Sequence, residues 1–334
     1  MQLETLITSL RLHKGIAHKR DIDSVLRAMA GRHLPGADAW LGDDCAVLPR
    51  GDGHLLFAIE GFINAFVAHD PWFAGWCGVM VNLSDIAAMG GRPLAVVDAL
   101  WSDGPEQASA LMAGLAAAAQ AFAVPLVGGH SNTRCDRPQL AVAVLGEAQR
   151  LLSSFTARPG DSLVMAVDLR GHYREPFDNW DAATMAEPAR LRGDMALLPA
   201  IAEAGLAHAA KDISQAGLLG TVLMLMECSG VGAAIDVDRI PRPAGAELLR
   251  WLRAFPSFGY VLACQPEQAA ALCARFRERG IAAAAIGEVR PERRLELTCA
   301  TSGGRDSGIF WDLAEEPLMG VGPQVDCVAA GALK

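Results

Sequence analysis

The 334-residue sequence contains no Cys-x-x-Cys pair. Its eight cysteines, at positions 45, 77, 135, 228, 264, 273, 299 and 327, form no His/Cys cluster with zinc spacing. Scattered thiols in apolar contexts, such as Cys77 in GWCGVM, read as reduced core residues. The opening MQLETLITSLRLHKG has an early acid and no long apolar run. It therefore does not read as a secretory signal, and a reducing, cytoplasmic location is expected. Basic runs are missing as well. With a net charge of -9 and a pI near 5.4, nothing offsets the acidity, so no nucleic-acid partner is expected. Formal charge is absent from Gln107 to Thr133, a length that would span a bilayer. Yet that stretch is mostly Ala, Gly, Ser and Gln and contains Pro125 and a glycine pair. It reads as an Ala-rich buried helix followed by a strand, and no membrane span is expected.

At 51% hydrophobic and 20% charged, the composition is that of a folded globular chain. The length suggests two domains, placed at 1–150 and 151–334. Residues 3–31 read as helical, with Leu3, Leu6, Ile7 and Leu10 on one face and a second segment from Asp21. Strands are predicted at 55–62, 93–101, 138–148 and 163–167, and helices at 76–90 and from Pro105 to Phe122. Arg158-Pro159-Gly160-Asp161 is a turn that opens the second domain. Residues 168–185 are polar with aromatics and read as a loop or lid. Beyond them, helices near 193–210, 245–254 and 266–280 alternate with strands near 232–238, 259–265 and 282–289. The fold class is α+β, with helices and strands mixed in both halves.

Four stretches carry candidate chemistry. Asp43 and Asp44, in GDDCAVL, are adjacent carboxylates leading into an apolar strand. They are either a turn pair or a site compensated by a cation. Asn82 and Asp85, in NLSDIAAMGG, share one face of an apolar helix. A bound magnesium or nucleotide would satisfy them, as would backbone hydrogen bonds. Asp212, in KDISQAG, reads by itself as a cap for the helix that follows, and alternatively as part of an anion site. Gly128, Gly129, His130 and Ser131, in VGGHSNT, follow an apolar run. They make either a tight turn or a backbone that passes close to a ligand. Carboxylates for Mg2+, glycine-relieved backbone and helix N-termini are what phosphoryl transfer from a nucleotide requires. Neither GxxxxGK[ST] nor the HRD and DFG set is present, so a different ATP fold is required.

These motifs resemble those of the AIR synthase superfamily, which includes thiamine-monophosphate kinase and selenophosphate synthetase. GDDCAVL, VNLSDIAAMGGRPLAVV, LVGGHSNT, TARPGDSLVM and DISQAGLLG occur in the family's order from about residue 40 to 290. The resemblance implies a two-domain fold, a homodimer, and Mg-ATP held by Asp43, Asp44, Asp85 and Asp212. Asn82 orients that set, and Glu60 is a weaker candidate ligand. It further implies that Gly128, Gly129, His130 and Ser131 lie beside nucleotide phosphates, at a cleft formed partly by the dimer partner. Lys14 and Lys19 are phosphate-reaching candidates, and Asp85, His130 and Asp212 are the catalytic candidates. The loop 168–185 is expected either to close over substrate or to be an ordinary surface loop, and Arg192 either to meet an anionic substrate or to lie on a helix surface.

The departures from the family pattern narrow the activity. No cysteine precedes Cys45, unlike selenophosphate synthetase. His130 and Gln215 stand where thiamine-monophosphate kinase has aspartates. Three functions follow as expectations: phosphoryl transfer to a small metabolite, ATP-driven ring closure, or a nucleotide-binding subunit that serves a partner enzyme.

Overall fold

A computed structural model of the chain describes residues 2–29 and 41–322. Residues 30–31 of the expected N-terminal helical region and Cys327 lie outside the described residues. Three short helices come first: α1 (Leu3–Arg11), α2 (Lys14–Lys19) and α3 (Asp21–Met29). The first domain follows with β1 (Ala46–Arg50), β2 (Gly53–Gly61), α4 (Asn64–His69), α5 (Pro71–Ala88), β3 (Arg92–Asp103), α6 (Pro105–Phe122), β4 (Leu126–Asn132) and β5 (Arg134–Ala148). Its strands form one sheet in the order β1-β2-β5-β3-β4, antiparallel except for the parallel β3–β4 pair at the edge.

Period-two alternation decides the faces of this sheet. Leu56 and Ala58 point inward with Val142 and Val144, against α5 and α6. Phe57 and Ile59 point the other way and are 49% and 65% exposed. Their cross-strand partners are Leu145 and Ala143. Leu48, Val97 and Leu145 are also exposed, so one face of the sheet is apolar and bare in the single chain.

The second domain contains β6 (Ser162–Val167), β7 (His172–Tyr173), β8 (Asn179–Asp181), α7 (Pro188–Met195), α8 (Leu197–Glu203), β9 (Ala209–Asp212) and α9 (Gly217–Ser229). Next come β10 (Gly232–Asp236), α10 (Leu248–Arg253), β11 (Phe255–Pro256), β12 (Gly259–Cys264), α11 (Ala269–Arg277), β13 (Ala282–Arg290), β14 (Arg294–Thr301) and β15 (Gly304–Asp312). Seven strands pair in the order β15-β14-β10-β13-β6-β12-β9. The strands β6, β12 and β9 are covered on both faces. Leu163, Met165 and Val167 pack with α9 and with Leu3, Leu6, Ile7 and Leu10 of α1. Val164 and Ala166 pack with α8, α11 and the end of α5 at Ala87 and Ala88. Double burial explains why SLVMAV and GYVLAC read as unbroken apolar runs.

The structure redraws several sequence-based boundaries. The helix expected near 193–210 is two helices and then the strand β9, because Ala209 and Ala210 pair with Ala263 and Leu262 of the central sheet. The polar segment 168–185 contributes β7 and β8 to a small sheet completed by β11. No helix among the described residues is long and apolar enough to cross a membrane.

Candidate functional site

Three elements that never adjoin in sequence meet at one point. Asp44 sits in the turn before β1, Asp85 on the last turns of α5, and Asp212 at the end of β9. One carboxylate oxygen from each lies within 4.8 Å of the others. Inward alternation along β2 brings Glu60 to the same cavity, about 730 Å³ in volume, which Asp43, Lys19, Ser214 and Gln215 also line. That volume is ordinary for a small-molecule site.

Burial makes this cluster expensive without a counter-charge. Burial, with Asp212, Glu60 and Asp44 around it, pushes the Asp85 carboxyl well above the usual carboxylate range. Burial and the nearby Asp44 push Asp212 up to about 8, against the opposing pull of Lys211 and Lys19. Glu60 is also raised, by burial first and by Asp44. Among the described residues Asp85 Oδ2 and Asn82 Oδ1 are buried with no hydrogen-bond partner, while Asn82 Nδ2 donates to the Gly78 carbonyl at 2.8 Å. Unpaired acceptors in an all-oxygen cluster fit a hard divalent cation such as Mg2+. Cys45 lies nearby, but burial and the carboxylates raise its thiol well above its ordinary range, so it is no thiolate ligand.

One cation of the chain is built in. Lys211 Nζ donates to Asp44 Oδ1, and the two side chains are 5% and 6% exposed. Burial would lower the Lys211 pKa, but Asp44 and Asp43 overcome it and hold the ammonium charged. The Asp212 N–H also points at Asp44 Oδ2, at 3.4 Å. Lys211 was not singled out from sequence, although a lysine inside an apolar strand, directly before an aspartate, was the available signal.

Asp43 is turned to a different job. Its carboxylate accepts from Ser153 Oγ at 2.7 Å and from the Ser154 N–H at 3.0 Å, which ties the first domain to the interdomain segment. Ser154 Oγ in turn donates to the Ala210 carbonyl at 3.4 Å, and Ser229 Oγ to the Ser154 carbonyl at 2.6 Å. The acid pair therefore divides its work: Asp43 braces the domains and Asp44 faces the cluster. Ser153 and Ser154 carried no sequence signal beyond that of a linker.

Asp212 does not cap the next helix. Ala216 occupies the N-cap of α9, and no side-chain cap bond is made there. Instead, pairing of β9 with β12 sets Asp212 opposite Tyr260, and contact between α5 and β9 brings it to Asp85. The N-terminal segment is an ordered wall of the cavity. A Cβ on Gly15 would lie 2.0 Å from the Gln215 carbonyl oxygen, so glycine permits α2 to seat directly on the Ser214-Gln215 turn. This seating brings His13, Lys14, His18 and Lys19 to the cavity.

The loop 168–185 closes one side. Arg174 Nη2 donates to Asp70 at 2.8 Å, its guanidinium stacks on Phe73, and the Phe177 ring meets Phe66 edge-on at 5.1 Å. Phe177, Asp178 and Asn179 line the cavity. Arg192, a candidate to meet an anion, instead donates to the Ala121 carbonyl at 2.8 Å and pins α7 to α6.

The residues from Gly128 to Ser131 are the exception to this convergence. Of the two readings of this stretch, the tight turn is not what forms, and the residues continue β4 along the exposed sheet edge. Gly129 is required locally, since a Cβ there would lie 2.3 Å from Asp98 Oδ1. Gly128 has open space around it. Register with Val97 and Ala99 puts Gly128 and His130 on the bare apolar face, outside the cavity of the single chain.

Comparison with known proteins agrees with this architecture. Residues 42–148 match the AIR synthase related protein N-terminal domain, and residues 159–300 match the C-terminal domain. The uncharacterized protein sll0787 of Synechocystis is 46% identical over 321 residues, covering 95% of this chain and 98% of that one. PurL of T. maritima, solved with ATP, superposes with a TM-score of 0.68 at 21% identity. The match covers 84% of this chain and 47% of the PurL chain. AaThiL, solved with AMPPCP and TMP, gives a TM-score of 0.61 at 20% identity, covering 77% and 87% of the two chains. With both domains matched in order, the chain belongs to the AIR synthase related protein family.

Proposed function

We propose that this protein binds Mg-ATP at the Asp44–Asp85–Asp212 cluster and transfers or activates phosphate on a small metabolite. The observation that carries this reading is the buried trio itself. Three carboxylates share one place, burial pushes those of Asp85 and Asp212 up, an Asp85 oxygen is unpaired among the described residues, and one buried lysine is too little to balance the set. Relatives of the same fold solved with ATP and AMPPCP support the choice of nucleotide. Asp44, Asp85 and Asp212 would hold the cation, with Glu60 in reach and Asn82 steadying the helix. Mg2+ there would neutralise phosphate charge. Lys211 pairs with Asp44 and fixes its carboxylate. Lys19, which faces Asp212 and Glu60, is the cation placed to meet a phosphate. The walls formed by α2 and Phe177 keep water from the transferring group.

The bare face of the first sheet supports a homodimer. A row of exposed Leu48, Phe57, Ile59, Val97 and Leu145 is the kind of apolar patch that a second copy covers. His130 and Gly128 lie on this same face and would be covered with it. His130 then acts on phosphate or substrate, since Mg2+ prefers oxygen ligands.

Isothermal titration with a non-hydrolysable ATP analogue, with and without Mg2+, tests the site. Binding should require Mg2+ and weaken at least about tenfold in Asp85→Asn, a loss of ~1.4 kcal/mol. Mg2+-independent binding that survives this change would sink the assignment. With ATP and candidate acceptors, a stable phosphoester identifies a kinase, and a cyclised product with free phosphate identifies a ligase.

A further inference from the structure

The cavity has two chemically distinct ends. The acidic end, where Lys19 faces Asp212 and Glu60, is accounted for by the cation and nucleotide. The other end is lined by His13 from the α1–α2 turn, Arg253 from the end of α10, and Phe66, Phe177 and Phe255. None of the carboxylates of the acidic end is among the charges that act on His13. Those are Arg253, Asp178 and His18.

Two nitrogens at this end are left over. Among the described residues, His13 Nδ1 and Arg253 Nε are both buried without a hydrogen-bond partner. Among the described residues the Arg253 guanidinium has one neutral acceptor, the Ser9 carbonyl at 3.2 Å. The nearest acid, Asp178, is drawn to another arginine: Arg250 Nε donates to it at 3.2 Å while Arg250 Nη2 bonds Glu175 at 2.9 Å. Buried polar nitrogens without partners are rare and costly. Arg253 Nε is a donor, and the His13 ring supplies a second N–H in its Nδ1-protonated tautomer. A guanidinium beside such an imidazole suits an oxyanion. The corner is also built rather than incidental. Seating of α2 on the Gln215 carbonyl fixes His13, and packing of α1 in the second core fixes its approach to Arg253.

We infer that His13 and Arg253 form an anion subsite for the acceptor, which is therefore a small molecule carrying a phosphate or carboxylate beside a flat apolar portion. The apolar portion lies along Phe66 and Phe177, and the anion at His13 and Arg253 points the rest of the molecule toward the acidic end. This assignment rests on the ATP-dependent reading for its direction, but the subsite itself does not need nucleotide.

The test uses the full chain saturated with Mg2+ and a non-hydrolysable ATP analogue, titrated calorimetrically with inorganic phosphate and, separately, with succinate. At least one anion should bind saturably, and the tighter of the two names the acceptor's group. His13→Asn and Arg253→Met should each weaken that binding by about tenfold while leaving analogue affinity within about twofold. Arg253→Met also removes the bond to Ser9. His13→Asn breaks no side-chain hydrogen bond and is the cleaner variant. Binding of neither anion, or equal binding by wild type and His13→Asn, overturns the subsite. If the analogue itself does not bind, the ATP reading fails. The same anion titrations without nucleotide then decide the subsite alone.

Discussion

The two large sheets of this protein are built from similarly apolar strands but do different things with them. In the seven-stranded sheet the strands β6, β12 and β9 are covered on both faces, by α9 and α1 on one side and by α8, α11 and the end of α5 on the other. The five-stranded sheet is covered on one face by α5 and α6, and its other face shows Phe57, Ile59, Val97 and Leu145 to solvent. The first arrangement makes a core. The second leaves an apolar surface whose strands also carry Glu60 to the cavity and His130 to the edge. Equal hydrophobicity in sequence thus hides opposite roles, and charge placed on each sheet separates them.

The largest effect is expected where a charge enters the doubly covered strands. Val164→Asp places an unpaired carboxylate in a fully buried strand, and soluble expression should be lost. Phe57→Glu, on the bare face, should instead give folded protein whose mass by light scattering falls to the 35.2 kDa of one chain. A wild type that is already monomeric would remove the contrast and the dimer with it.

Next in size is the cavity between the sheets. Lys211→Met leaves Asp44 buried without its partner and should cost about 3–5 kcal/mol in denaturant unfolding. Excess Mg2+ should restore part of that loss by supplying positive charge. A stability unchanged from wild type would show that the pair does not hold the site.

The smallest effect is the pH dependence. Asp212 titrates near 8 in the folded chain and near its ordinary 3.8 when unfolded. Between these values folding takes up a proton, so this group's contribution is full below about pH 4 and is lost as pH rises through about 8. In metal-free protein, the melting temperature of Asp212→Asn should therefore gain on wild type from pH 5 to pH 8. Mg2+, which displaces the proton, should narrow the gap. A gap that is flat with pH would mean that Asp212 is not held protonated.

Much of this was legible in the chain because local rules governed it. Pro105 opens α6 and Phe122 ends it, as helix-start chemistry and an Ala-rich run require. Asp44, Asp85 and Asp212 stood out as carboxylates flanked by apolar residues, and the order of the motifs carried the family. Other features depended on neighbours that sequence spacing does not reveal. β9 was absorbed into a helix because Ala-Ala-Lys-Asp has little strand propensity of its own, and pairing with β12 overrides it. The role of Asp43 awaited Ser153 and Ser154, which lie more than a hundred residues away. The VGGHSN stretch reads either as a turn or as a close backbone approach, and the approach that requires Gly129 is to Asp98 on the adjacent strand.

By itself the sequence determined the type of the long helices and most strands, the two-domain order and which acids carry charge into apolar surroundings, since periodicity, capping and composition are local properties. Tertiary structure alone decided that three of those acids meet, that Lys211 joins them, that the N-terminal helices wall the cavity, and that one apolar face stays bare. Each of these is a long-range contact, set by which surfaces bury together and not by any residue's own preference.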